Sequence, residues 1–155
     1  MILGTSTQAF ERSAIPPDLL ASYLATVHRL VEPAALTVVV GRRHHGLVSL
    51  MKANRLPSAA FLTAWNPFSR PLSRKRNDAA QARLVADLDR HGLPHFASWG
   101  HDAAGEDFPD PWPAEAGRVA LGLALDDAAR LGRKFGQNAI VWSGLDGMPL
   151  LVALR

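Results

Sequence analysis

Apolar residues fall at helical spacing early in the chain. Leu19, Leu20, Tyr23, Leu24 and Val27 form one stripe behind Pro16-Pro17-Asp18, so a helix is expected from residue 17 to about residue 28. Leu36 to Val40 is apolar and rich in β-branched residues, as strands are, and Gly41 ends it. A second stripe, with Leu47, Leu50 and Met51 inward, predicts a helix over about 43–54. Residues 59–65 read as the next strand. Strand, helix and strand in that order predict a parallel pair joined by a right-handed crossover. Asn66-Pro67 stops the strand, because proline biases its predecessor away from helix. Ser73 suits the N-cap of a helix over 74–90, and Gly92 suits its stop.

A short strand over 95–99 precedes residues 100–113, which hold two glycines and three prolines among acids and read as a loop. Residues 118–124 predict a strand. Asp126 and Asp127 then open a helix that carries Arg130, Arg133 and Lys134 towards its end, both suited to the helix dipole. Gly136 closes that helix. Residues 138–142 form a strand, Leu145-Asp146-Gly147 turns the chain, and 149–154 makes an edge strand. The expected fold is α/β (or α+β), with a mixed sheet of about five or six strands and helices packed on it. At 155 residues one core is expected, hence a single domain over 1–155, with 1–16 a loosely ordered N-terminal segment.

Two strings interrupt this pattern with amides. They are Thr63-Ala64-Trp65-Asn66-Pro67-Phe68-Ser69 and Phe135-Gly136-Gln137-Asn138-Ala139-Ile140-Val141-Trp142. Amides are rare in buried strands, because every donor and acceptor must be paired. Two such strings suggest one shared polar site. Ligands of open α/β sheets bind beyond strand ends, which places Thr63, Trp65, Asn66 and Ser69 at a candidate site. Gln137 and Asn138 join it only if their strand runs antiparallel to 59–65. Asn77 and Gln81 lie on the face of their helix that Leu84 and Leu88 continue, so they need polar partners at the sheet. They either pin the 66–73 loop or read a ligand.

The same strings carry a resemblance. TAWNPFSRPLS, then Asn77, Trp112-Pro113 with Glu115, and FGQNAIVW resemble a bacterial domain-of-unknown-function family, numbered 3293, over about residues 17–154. The resemblance implies no reaction. It aligns Glu115 with an acid that precedes a strand. Where the family pattern has acids before Asn77, this chain has Arg74, Lys75 and Arg76.

Charge sharpens the picture. Residues 42–90 hold ten Lys/Arg against three Asp/Glu, and 101–127 hold seven Asp/Glu against one Arg. Arg70, Arg74, Lys75 and Arg76 gather at a helix N-terminus, which attracts anions through its free N–H groups. The absence of cysteine excludes disulfides and thiolate chemistry and fits a reducing, cytoplasmic location. The start lacks a signal-peptide pattern, and no apolar run is long enough for a membrane span. No nucleotide-binding glycine motif, GxSxG or HExxH occurs. His44-His45 point apart. His101 with Asp102, Glu106, Asp107 and Asp110 lacks the EF-hand spacing, so no metal is expected.

The leading expectation is a pocket for an anionic small molecule, a nucleotide or phosphorylated metabolite. Thr63, Trp65, Asn66, Ser69, Asn77 and Gln137 would line it, and Arg70 and Arg74 would supply charge. No particular cofactor is implied. One alternative is a nucleic-acid binder using a basic face over 42–90. The other is an enzyme with Glu115 as general base.

Overall fold

The computed structural model describes residues 1–102 and 114–155. Trp112, Pro113, Glu106, Asp107 and Asp110 lie outside the described residues. The strands are β1 (Ile2–Gly4), β2 (Thr26–Leu30), β3 (Leu36–Val39), β4 (Ser58–Leu62), β5 (His95–Asp102), β6 (Glu115–Leu121), β7 (Ala139–Gly144) and β8 (Leu150–Ala153). The helices are α1 (Pro17–Ala25), α2 (His45–Ala53), α3 (Arg74–His91) and α4 (Leu125–Lys134). Single 3-10 turns cover Thr7–Phe10 and Pro67–Ser69.

All eight strands join one sheet in the order β1-β8-β7-β4-β6-β5-β2-β3. Every neighbouring pair is antiparallel. This corrects two expectations. The sheet has more strands than five or six, and it is antiparallel rather than mixed. The expected parallel pair fails because β3 sits at the sheet edge while β4 lies near the middle. The cause is β2. The first helix stops at Ala25, and β-branched Thr26 and Val27 extend the chain, with Thr26 at ψ 133. The resulting strand pairs with β3 across the short link 31–35 and holds it away from β4.

The N-terminal residues are also placed. Ile2–Gly4 pairs with β8, and Phe10 is 2 % exposed in the core. The segment thus contributes a strand and a core side chain. Its apolar residues Ile2, Phe10 and Ile15 pack into the core through contacts distant in sequence.

Alternation along β4 divides the core. Ala59 and Phe61 face Leu20, Leu47 and Met51 of α1 and α2. Ala60 and Leu62 face Leu84 and Leu88 of α3 and Ala128 of α4. Helices therefore cover both faces of the central strands. The third helix follows its expected signals: the Ser73 hydroxyl accepts from the Arg76 N–H, and Gly92 ends the helix at φ 67. A methyl at Gly92 would meet nothing within 4 Å. Gly92→Ala is therefore expected to cost only the left-handed backbone penalty, about 1 kcal/mol, measured by urea unfolding.

The basic stretch 42–90 does not form one face. Lys52 is on α2, while Arg83 and Arg90 are on α3, on the opposite side of the sheet. Among the described residues no helix is long and apolar enough to cross a membrane.

Candidate functional site

Antiparallel pairing brings several strand ends to one rim. Phe61 opposes Val141, so the start of β7 lies beside the end of β4. Leu62 opposes Arg118, which puts Glu115 and Ala116 at the same rim. Gly100 pairs with Glu115, and Thr26 with Asp102, so the end of β5 and the start of β2 complete it. Both amide strings thus converge, as one of the two strand directions open in the sequence required.

The loop after β4 is built around Asn66. Its side-chain oxygen accepts from the Leu72 N–H at 3.0 Å and from Asn77 Nδ2 at 2.8 Å. Its own N–H donates to Asn77 Oδ1 at 2.9 Å. Its Nδ2 donates to Glu115 Oε1 at 2.7 Å. The backbone here is left-handed, with φ 46 at Asn66 and φ 56 at both Phe68 and Ser69. Asn tolerates that region better than most residues do, and strain of this kind gathers at functional sites. Thr63 Oγ1 donates to the Ala116 carbonyl at 2.7 Å and accepts from the Trp65 N–H at 3.1 Å. Gln81 Oε1 accepts from the Ala64 N–H. Gln137 Nε2 donates to the Trp65 carbonyl at 3.0 Å.

A second polar knot adjoins this loop. Tyr23 Oη and Ser69 Oγ are hydrogen-bonded to each other, and Asn138 Nδ2 donates to both, at 3.0 and 3.2 Å. It ties α1, the 66–73 loop and the start of β7 together.

Beneath these groups lies a cavity of about 140 Å³. Its apolar wall includes Leu19, Phe61, Ile140 and Leu151. Its polar lining includes Thr63, Trp65, Asn66, Ser69, Gln137 and Glu115, all candidates read from the sequence. Gly117 keeps the wall close: a methyl there would stand 2.9 Å from the Leu62 carbonyl oxygen and 3.0 Å from Ser98 Oγ.

Three other candidates do not line it. Asn77 is 2 % exposed and spends its amide on the loop. Arg70 and Arg74 are exposed, and Arg74 pairs with Asp78 on its own helix. Among the described residues no lysine or arginine lines it; Asp102 and Glu115 do.

Tyr23 and His28 line the cavity without having been singled out as site residues. Tyr23 read as one member of an apolar stripe, and His28 as the end of a helix. The Thr26-Val27 pair was the available signal, since a strand from there turns His28 towards Phe61, whose ring lies 5.2 Å away. Burial pushes the His28 ring down to about 4, helped by nearby His101. Among the described residues its Nε2 is buried without a hydrogen-bond partner, as is Trp65 Nε1. Among the described residues no three His, Asp or Glu side chains group to hold a metal ion.

Comparison with curated proteins and with solved structures gives no match. A family model described as "Protein of unknown function (DUF3293)" matches residues 62–140, a span that contains the Thr63–Ser69 string and Phe135 to Ile140 of the second. With half of its length matched, the chain belongs to the DUF3293 family.

Proposed function

We propose that this chain is a small-ligand-binding domain and that the cavity at the strand rim is its site. The observation that carries the reading is the pair of buried ring nitrogens, His28 Nε2 and Trp65 Nε1, on residues that line one cavity. Unpaired buried polar atoms cost roughly 1–3 kcal/mol each, so a ligand that pairs them recovers that cost. Neutral His28 can accept a hydrogen bond, and the Trp65 indole donates one. Among the described residues the lining carries carboxylates and no lysine or arginine, so the ligand is a small uncharged or amine-bearing molecule with an apolar body. This replaces the phosphorylated ligand expected from the sequence, whose charge partners Arg70 and Arg74 face solvent.

A thermal-shift panel of small amines, polyols and mononucleotides tests it. A ligand at ~100 times its dissociation constant adds about 2.7 kcal/mol. Stabilisation by an uncharged or amine compound is expected, and Trp65→Phe should weaken it with little change in the ligand-free midpoint. Stabilisation by mononucleotides alone, or by nothing, contradicts the reading.

A second reading is an enzyme with Glu115 as general base. It is favoured by the 2.7 Å contact from Asn66 Nδ2, which orients a carboxylate lining the cavity. Turnover that survives Glu115→Gln unchanged would exclude it.

A further inference from the structure

On the opposite side of the sheet, α3 and α4 leave a groove between them of about 530 Å³. Its floor is built from small and apolar residues: Ala80 and Ala86 of α3, Ala64, and Phe135. Its rim is cationic, with Arg83 and Arg90 from α3 and Arg133 and Lys134 from α4. A neighbouring depression shares Asp87, Arg90 and Lys134 with it and adds Arg130 and His91. Together they follow α3 from Ala80 to His91, about 16 Å at ~1.5 Å per residue.

The acids here are already neutralised. Asp87, 7 % exposed in its side chain, is paired with both Arg90 and Lys134. Asp127 is paired with Arg130 at 2.6 Å. The cations exceed these acids in number, and a guanidinium has five N–H donors, most of them unused in these contacts. Their side chains reach outward: Arg90 is 68 % and Lys134 58 % exposed.

An independent feature marks one end of the groove. Phe68 lines it and is 48 % exposed, with a left-handed φ of 56. An aromatic residue adopts that backbone only under strain. Its N–H is anchored to the Gly136 carbonyl at 2.7 Å, and Gly136 admits it: a methyl there would stand 2.9 Å from Pro67 Cβ and 3.2 Å from the Phe68 ring. The loop therefore holds a half-exposed apolar ring beside a cationic groove, with the Arg155 guanidinium 5.6 Å from the ring centroid.

We propose that this groove docks an acidic segment of a partner protein, with an apolar side chain of that segment seated against Phe68. Charge complementarity selects acids, and one exposed ring above an apolar floor seats a single apolar side chain rather than a run of stacked bases, which selects a peptide over a nucleic acid. The proposal is independent of the cavity reading, because the groove and the cavity share no lining residue.

The test is fluorescence anisotropy with a labelled peptide of alternating glutamate and leucine. The same peptide with lysine for glutamate, and single-stranded oligothymidylate, are titrated beside it. The glutamate peptide should bind in preference to both. Arg83→Glu and Phe68→Gly should each weaken it by about tenfold or more. Phe68→Gly trades relieved backbone strain against a more flexible unfolded chain and lost ring contacts, so its melting midpoint should stay close to that of wild type and its lost binding is not unfolding. No binding of the glutamate peptide, equal binding of the lysine peptide, tighter binding of oligothymidylate, or indifference to both substitutions would each overturn the proposal.

Discussion

Asn66→Ala is expected to lower the unfolding free energy by roughly 3–5 kcal/mol, the largest effect of any change at the rim. Three side-chain hydrogen bonds vanish, to Leu72, Asn77 and Glu115. The Leu72 N–H and Asn77 Nδ2 are left short of an acceptor, and one lost bond is to a carboxylate, the stronger kind. Alanine must also hold φ 46, which asparagine tolerates. Asn66→Gly separates the two causes. It loses the same bonds but accepts the backbone, so it should be about 1 kcal/mol more stable than the alanine variant. Urea unfolding of the three proteins reads both differences, and equal stability of wild type and Asn66→Ala would show that the network holds nothing. The substitution is thus a poor probe of ligand binding alone, because Asn66 is both cavity lining and the support of its own loop.

Acid should weaken the fold through His28. The folded ring titrates at about 4, against about 6.5 in an unfolded chain. Between those values the unfolded chain holds a proton that the folded chain refuses, so unfolding takes up protons and falling pH favours it. The contribution is intact above the unfolded value and lost as pH drops towards the folded one. At pH 4 the loss is about 3 kcal/mol relative to neutral pH, following the pKa of about 4. Carboxylates add their own acid dependence, so the informative quantity is the difference between wild type and His28→Leu. The urea midpoint should fall less between pH 7 and pH 4 in the variant than in wild type; parallel acid losses in both proteins would show that His28 is not buried as a neutral ring.

Much of the local structure was legible because local residues decide it. The Ser73 cap and the Gly92 stop bound α3 through contacts within one turn. The amide strings were legible as a hydrogen-bonded polar cluster because Asn66, Asn77 and Gln137 carry groups that need partners. Their convergence depended on strand direction, which is a property of the whole sheet. β2 was hidden for the same reason: Val27 continues the apolar stripe of α1, and only pairing with β3 and β5 makes the segment a strand. The arginines misled. Their proximity in sequence to Asn66 and Ser69 suggested a charged pocket, but the loop turns Arg70 outward and the first turn of α3 leaves Arg74 in solvent.

The central claim is that the cavity at the strand rim takes a small ligand through Trp65 and His28. Fragment titration followed by the tryptophan indole N–H resonances in a two-dimensional ¹⁵N spectrum tests it most directly. The chain has four tryptophans, and Trp142 Nε1 already donates to the Leu123 carbonyl at 3.0 Å, so it serves as an internal control. The account predicts that an uncharged or amine fragment moves the Trp65 indole signal, saturably, while the Trp142 signal stays in place. A Trp65 signal that no fragment moves, or one that moves only in step with Trp142, would contradict it.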